Sequence, residues 1–344
     1  MAEMRTIGLD LAKNIFQVHG IDAEGKVLVR RRLRRAEVLE FFASVKPCLV
    51  GIEACASAHH WAREIAKLGH EVRLIPPAYV KPYVKRGKTD AADAEAIAEA
   101  VTRPTMRFVS VKNTEQQSAL MLHKTRDLLV RQRTALINAL RGHMGELGIV
   151  VPQGPQKVPG LIEALRAAGK EVPEVARRAL DMLVDQLGFV EIGIKRAEAG
   201  ILAWHRANEA SRRLATIPGI GPITASAIAA TVPDAGQFSS GRQFAAWLGL
   251  TPKPRSSGGK ERLGRISKMG DQYLRRLLVT GMTSLVRRNK HHPSAADPRI
   301  NALLARKPLR LVTVAMANRA ARAIWAIMVR GDVYRAPALG SGTA

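Results

Sequence analysis

Cysteine occurs only twice in the 344 residues, at Cys48 and Cys55, and aromatic residues make up 4% of the chain. Two cysteines without a CxxC pair support neither a disulfide framework nor a thiolate zinc site. With so few aromatic rings, the cores have to be filled by Ala, Leu, Ile and Val. Acidic residues are the third shortage: 29 Asp and Glu stand against 54 Lys and Arg, a formal charge of +25. No apolar stretch is expected to approach the ~20 residues of a bilayer span, and no signal-peptide pattern precedes the first strand. The expected location is therefore cytoplasmic, with no membrane partner, and a surplus of positive charge this large points to a polyanion. What is present in ordinary amount, 47% hydrophobic and 24% charged residues, is enough for two packed domains.

Against that basic background four carboxylates stand out. Asp10 lies inside the apolar run Thr6-Ile7-Gly8-Leu9-Asp10-Leu11, and Glu53 ends the run Cys48-Leu49-Val50-Gly51-Ile52-Glu53. Asp90 and Asp93 open an Ala-rich helix in Lys88-Thr89-Asp90-Ala91-Ala92-Asp93-Ala94. A carboxylate in or just past a buried strand is costly unless it is paired or holds a metal. The alternative reading makes Asp90 a helix N-cap and Asp93 a first-turn dipole partner. That accounts for two of the four and leaves Asp10 and Glu53 unexplained. Four hard oxygen donors suit Mg²⁺, and phosphoryl chemistry on nucleic acid uses two such ions about 3.5–4 Å apart.

The patterning predicts strands over 5–11, 15–21 and 26–33 as an antiparallel meander, then helix 36–46, strand 48–53, helix 58–68, strand 71–75 and helix 89–101. A right-handed crossover places the fourth strand parallel to the first, which brings Asp10 and Glu53 onto neighbouring strands. Spacing by three puts Asp90 and Asp93 on one helical face. Long Leu- and Arg-rich helices follow over 114–148 and 173–213, bracketing a short helix over 159–169; they read as an extended arm, with a compact bundle as the alternative. Beyond 214, helices are expected over 223–232, 242–250, 271–289 and 309–330.

Two motifs in this last part carry chemistry. Ile217-Pro218-Gly219-Ile220-Gly221-Pro222 is an apolar-Pro-Gly turn between helices, like the hairpin of a helix-hairpin-helix module. Gly219, Gly221 and the N-terminus of the next helix could hold a DNA phosphate without reading sequence; an ordinary helix connection is the alternative. The stretch 253–276 carries Lys253, Arg255, Lys260, Arg262, Arg265, Lys268, Arg275 and Arg276 against Glu261 and Asp271. Within it Ser256 and Ser257 lie among cations that could stabilise a pentacoordinate phosphorus, or they could belong to a plain phosphate-gripping loop.

Taken in order over about residues 5–330, these motifs, together with Phe244-Ala245-Ala246-Trp247-Leu248-Gly249-Leu250-Thr251-Pro252, Ser257-Gly258-Gly259-Lys260, Lys268-Met269-Gly270-Asp271 and Leu274-Arg275, resemble the DEDD-type transposases of insertion sequences and the related pilin-gene DNA invertases. The resemblance implies an α/β RNase H-like (RuvC-like) domain with a mixed sheet over 1–110, its Asp10, Glu53, Asp90 and Asp93 holding Mg²⁺. It implies a long helical, coiled-coil middle over 111–213 and an all-α C-terminal transposase domain over 214–335 with a helix-hairpin-helix; residues 336–344 read as a disordered tail. By motif position the family's serine nucleophile falls on Ser257, with Ser256 an adjacent ambiguity. The implied activity is site-specific recombination of double-stranded donor and target DNA by transesterification, guided by a structured bridge RNA. The implied assembly is a homodimer that forms a tetramer, with a composite site between protomers. Two other functions remain open from the residues alone: a metal-dependent nuclease of Holliday-junction-resolvase type, and a non-enzymatic nucleic-acid scaffold.

Overall fold

The computed structural model describes residues 3–85, 89–254, 262–291 and 297–335. Ser256, Ser257, Arg255, Lys260 and the tail 336–344 lie outside these described residues. The chain divides into two units, Met1–Gln116 with Val232–Gln237, and Gln117–Thr231 with Phe238–Ala344.

In the first unit, β1 (Thr6–Asp10), β2 (Ile15–Ile21), β3 (Val27–Arg34), β4 (Leu49–Glu53) and β5 (Glu71–Ile75) form one sheet in the order β3-β2-β1-β4-β5. β1 and β3 both run antiparallel to β2, while β4 is parallel to β1 and β5 to β4. Only β2 opposes the rest, so this is the mixed sheet expected, with the crossover from β3 to β4 setting β4 beside β1. Side chains alternate across it. Ile7, Leu9, Phe16, Val18, Leu33, Val50, Ile52 and Leu74 face one way into a core with Val38 and Phe42 of α1 (Val38–Ser44) and Trp61, Ala62 and Ile65 of α2 (Ala58–Lys67). The opposite face carries a second cluster, in which Ile75 meets Val80 of α3 (Pro77–Val80) and Ala96, Ile97, Ala100 and Val101 of α4 (Asp90–Val101).

α4 lies directly on the sheet because the strand residues beneath it are glycines. A Cβ on Gly8 would stand 2.1 Å from the carbonyl oxygen of Ala94 and 2.5 Å from the amide of Ala98. One on Gly51 would stand 2.8 Å from Cβ of Val101. Such close approach of helix to strand is available only to glycine.

The second unit is mostly helical. α5 (Thr114–Glu146) and α7 (Glu174–Ala207) run antiparallel, as Leu122 packs against Gly200, Leu129 against Gly193, and Arg126 pairs with Glu198 at 2.7 Å. Their far ends enclose α6 (Val158–Ala167) in a cluster of Leu140, Met144, Val158, Leu161, Leu165, Val172, Leu180 and Leu187. The helix expected over 173–213 is broken at Asn208, which leaves the helical region and caps α8 (Glu209–Leu214) by accepting from the Ser211 amide at 2.9 Å. After α9 (Pro222–Thr231) and α10 (Gly241–Trp247) the C-terminal part departs from the all-α expectation. β6 (Pro252–Pro254) pairs antiparallel with β7 (Leu263–Ile266). Proline lacks an N–H but tolerates the extended edge position, so a stretch read as loop forms a ribbon on either side of 255–261.

α11 (Gln272–His291), α12 (Pro298–Leu304) and α13 (Leu309–Arg330) complete the unit; α12 is an addition to the expected helices. α13 corrects the expectation that no stretch is long and apolar enough to cross a membrane, since its 22 residues pass on length and composition. Its Val312, Ala317, Ala321 and Ile324 are buried, the pattern of a core helix.

Candidate metal centre and nucleic-acid interface

Gly8 and Asp10 share one face of β1, and Gly51 and Glu53 share one face of β4, because side chains repeat every second residue. The glycines seat α4 on that face, so its first turn comes down over Asp10. Thr89, in an extended conformation, caps the helix by accepting from the Ala92 amide at 3.3 Å. That corrects the reading of Asp90 as the N-cap: Asp90 is the first helical residue and its carboxylate is free of that duty. The outcome is a triad in which one oxygen each from Asp10, Asp90 and Asp93 lies within 4.8 Å of the others. Glu53 is not one of these three. It ends β4, the strand beside β1, where Leu9 is paired with Ile52, and its charge reaches Asp10.

Burial, then the charges of Asp93, Asp90 and Glu53, push the Asp10 carboxyl up to about 6. No Lys or Arg pairs with Asp10, Asp90 or Asp93 among the described residues. Mutually repelling carboxylates without a cation, half-buried in part and open on one side, fit a divalent ion better than a structural ion pair. Cys55, two residues past Glu53, is exposed, and Cys48 is buried; the two are unpaired thiols. The sequence signals for the triad were strand position and helical spacing. The parts played by Gly8, Gly51 and Thr89 left no such signal, since their partners are other segments or backbone.

In the second unit, the 215–221 turn joins α8 to α9, with Ile217 and Ile220 buried beneath it. Gly219 adopts φ +83 and crosses α11 so closely that a Cβ would meet Cε of Met282 at 2.5 Å. Gly221 is exposed, and a Cβ there would meet nothing within 4 Å among the described residues. Of the two glycines, then, one packs against a helix and the other faces open space.

The base of the β6–β7 ribbon is fixed by another pair. A Cβ on Gly249 would stand 2.1 Å from the Met269 carbonyl oxygen, and one on Gly270 would stand 1.8 Å from that of Trp247. Both glycines have positive φ. Lys268 donates its amide to Gly249 at 3.1 Å, and Ser267 to Thr251 at 2.8 Å. Arg275 donates to the carbonyls of Leu248 at 3.0 Å and Met269 at 2.8 Å, so its guanidinium braces this crossing. Asp271 caps α11, accepting from the Leu274 amide at 2.9 Å. Lys253, Arg262, Arg265 and Lys268 are exposed on or beside the ribbon.

Comparison with known proteins adds two family matches. Residues 7–149 match the transposase model of DEDD type named for IS110, and residues 211–296 match the family described as Transposase IS116/IS110/IS902. The chain is 50% identical over 331 residues to a protein of Pseudomonas aeruginosa named "Probable family 20 transposase", covering 96% of this chain and 98% of that one. It is 41% identical over 339 residues to the transposase for insertion sequence element IS1111A of Coxiella burnetii, covering 97% and 92% of the two chains. The transposase for insertion sequence element IS1328 of Yersinia enterocolitica is 39% identical over 334 residues, with 97% and 99% covered.

Proposed function

The chain belongs to the IS110/IS116 family of insertion-sequence transposases, and from that premise we propose that it cuts and rejoins DNA at the ends of its element by transesterification. The observation that carries the reading is the convergence of Asp10, Asp90 and Asp93 within 4.8 Å, with Glu53 on the adjacent strand, inside the segment matched to the DEDD transposases. Asp10, Glu53, Asp90 and Asp93 hold Mg²⁺, as two ions in keeping with the chemistry of phosphoryl transfer. The metal's contribution, when bound, is to neutralise charge growing on the scissile phosphate. The protein's own groups do the rest. The carboxylates would set where the bound metal, and with it that phosphate, lies, and α4 holds Asp90 and Asp93.

Ser257 is the nucleophile. Its Oγ forms an ester to phosphorus as one sugar–oxygen bond to the same phosphorus breaks, which keeps the bond energy in a covalent intermediate and needs no nucleotide cofactor. A sugar hydroxyl of the new partner reverses the step. Lys253, Arg255, Lys260, Arg262, Arg265 and Lys268 grip the surrounding phosphates, and Gly221 with the start of α9 provides a sequence-independent hold in the manner of a helix-hairpin-helix. Target choice is delegated to a structured bridge RNA, and two DNAs are held by a homodimer that assembles to a tetramer; the charge of +25 suits a protein that carries both nucleic acids.

The test is trapping on DNA that spans an element junction. A covalent adduct lost in Ser257→Ala and kept in Ser256→Ala is expected, as is loss of metal-dependent cleavage, with binding retained, in Asp10→Ala. Cleavage that survives Ser257→Ala without an adduct would replace this reading with a hydrolytic nuclease of resolvase type. Sequencing the RNA that co-purifies should yield one element-derived transcript, and a random population would remove the guide from the scheme.

A further inference from the structure

We infer that Arg32 and Arg34, on the outer edge strand β3, form a two-rung phosphate ladder for the nucleic-acid strand whose reacting phosphate lies at Asp10. The identity of that strand rests on the functional reading above; its path rests on sheet register alone. Asp10 is paired with Gln17 of β2, and Gln17 with Arg32 of β3. Directly opposed residues project from the same face of a sheet, so Arg32 is in line with Asp10 on the α4 face. Two strand spacings separate them, roughly 10 Å. Arg34, two residues further along the same face, projects past the level at which β1 ends.

The run Arg30-Arg31-Arg32-Leu33-Arg34-Arg35 holds five arginines, and their surroundings sort them. Arg30, opposite His19, pairs with Glu95 of α4 at 3.6 Å, which confirms which face the even-numbered residues occupy. Arg31 is paired with Val18, whose side chain belongs to the opposite face. Arg35 lies 5.1 Å over the ring of Trp61 and 5.9 Å over that of Phe16. Arg32 and Arg34 remain: both are exposed, and neither guanidinium has an acidic partner among the described residues. Glu37 accepts from the backbone amide of Arg34, at 2.8 Å, and not from its guanidinium.

Two residues of an antiparallel strand advance about 6.8 Å, which is comparable with the step between successive phosphates of an extended nucleic-acid strand. A strand laid from Asp10, at the carboxyl end of β1, across the amino end of β2 to the carboxyl end of β3 therefore meets Arg32 within one or two nucleotides and Arg34 at the next. Arginine suits the task, since its planar fork takes a phosphate through two donors. The ladder holds backbone, so it positions the cut without contributing to sequence choice.

The experiment measures binding of a fluorescently labelled mixed-sequence DNA duplex by the full chain across salt concentrations, in an Asp10→Asn background. The pair Arg32→Gln with Arg34→Gln should flatten the plot of log affinity against log salt by about 1.8, that is ~0.9 for each phosphate the protein no longer neutralises. The pair Arg32→Lys with Arg34→Lys should keep most of the slope. An unchanged slope in the glutamine pair, or a lysine pair as flat as the glutamine pair, overturns the inference. In the otherwise wild-type chain, neutral methylphosphonate linkages are then placed singly around the cleaved phosphate of a junction duplex. Cleavage should slow at a linkage one or two nucleotides from the cut, and the glutamine pair should be insensitive to that linkage. Sensitivity that persists in the glutamine pair, or that lies only at remote linkages, also overturns it. A chain that never cleaves in an Asp10-dependent way refutes the functional reading instead, and the salt slope still decides the ladder.

Discussion

At Asp10, burial and three neighbouring carboxylates act in the same direction, and the carboxyl is pushed up to about 6. In the unfolded chain it titrates near 3.9. Between about pH 4 and pH 6 the metal-free fold therefore binds more protons at this site than the unfolded chain does, and its stability falls as pH rises through that window. A divalent cation favours the ionised form and offsets the loss. The melting temperature gained on adding Mg²⁺ should consequently grow from pH 5 to pH 7, and Asp10→Asn should remove both that gain and the metal-free decline. Equal gains at the two pH values would contradict the arrangement. His123 behaves in the opposite sense. Buried between Tyr273 Oη at 3.0 Å and Ser226 Oγ at 3.1 Å, it is held down to about 4, chiefly by desolvation. The unfolded imidazole takes up a proton below about pH 6.5, so this contribution is present above that pH and is lost as pH falls towards 4. Relative to His123→Gln, the wild-type unfolding midpoint in urea should drop more steeply between pH 6.5 and 5.

Among the elements, α4 is the one on which the site depends. Because the Gly8 Cα approaches Ala94 and Ala98 without room for a methyl group, Gly8→Ala should cost about 1–3 kcal/mol. It should also weaken Mg²⁺ binding, since lifting α4 separates Asp90 and Asp93 from Asp10; denaturant unfolding and calorimetric titration of metal would measure the two. Thr89→Ala should cost about 1 kcal/mol through the lost cap, with a smaller effect on metal. The antiparallel meander of β1 to β3 and the placing of Asp10 and Glu53 on neighbouring strands could be read from the sequence because strand period, turn residues and crossover handedness are local or nearly universal rules. The closeness of Asp90 and Asp93 followed from helical spacing in the same way. The seat under α4 could not be read, because Gly8 meets residues more than eighty positions away and a glycine in a strand has many explanations. The β6–β7 ribbon escaped for a related reason: Pro252 and Pro254 argue locally for loop, and only their pairing with Leu263 and Ile266 makes them strand. At Asn208 a single capping residue inside a helical pattern decided the break. Ser257 follows from motif order alone, and its standing rests on the trapping experiment.

For the molecule as a whole the dominant quantity is the charge of +25. If six to ten phosphates are neutralised, affinity for mixed-sequence DNA should fall roughly 10³-fold or more between 50 and 200 mM salt, measured by fluorescence anisotropy. A fall of only a few-fold would mean that most of this charge is spent within the protein, as Arg35, Arg126 and Arg275 are. The edge strand β3 adds something that binding alone does not require. The sheet's other border, β5, is bridged at one point, where Val109 donates its amide to the Leu74 carbonyl at 2.7 Å, but β3 leaves eight residues with one side unpaired among the described residues. An open border of that length invites another chain to add a strand, and charged side chains are a common natural defence. The arginines that would grasp a phosphate are thus also the kind of charged side chain that discourages such edge-to-edge pairing.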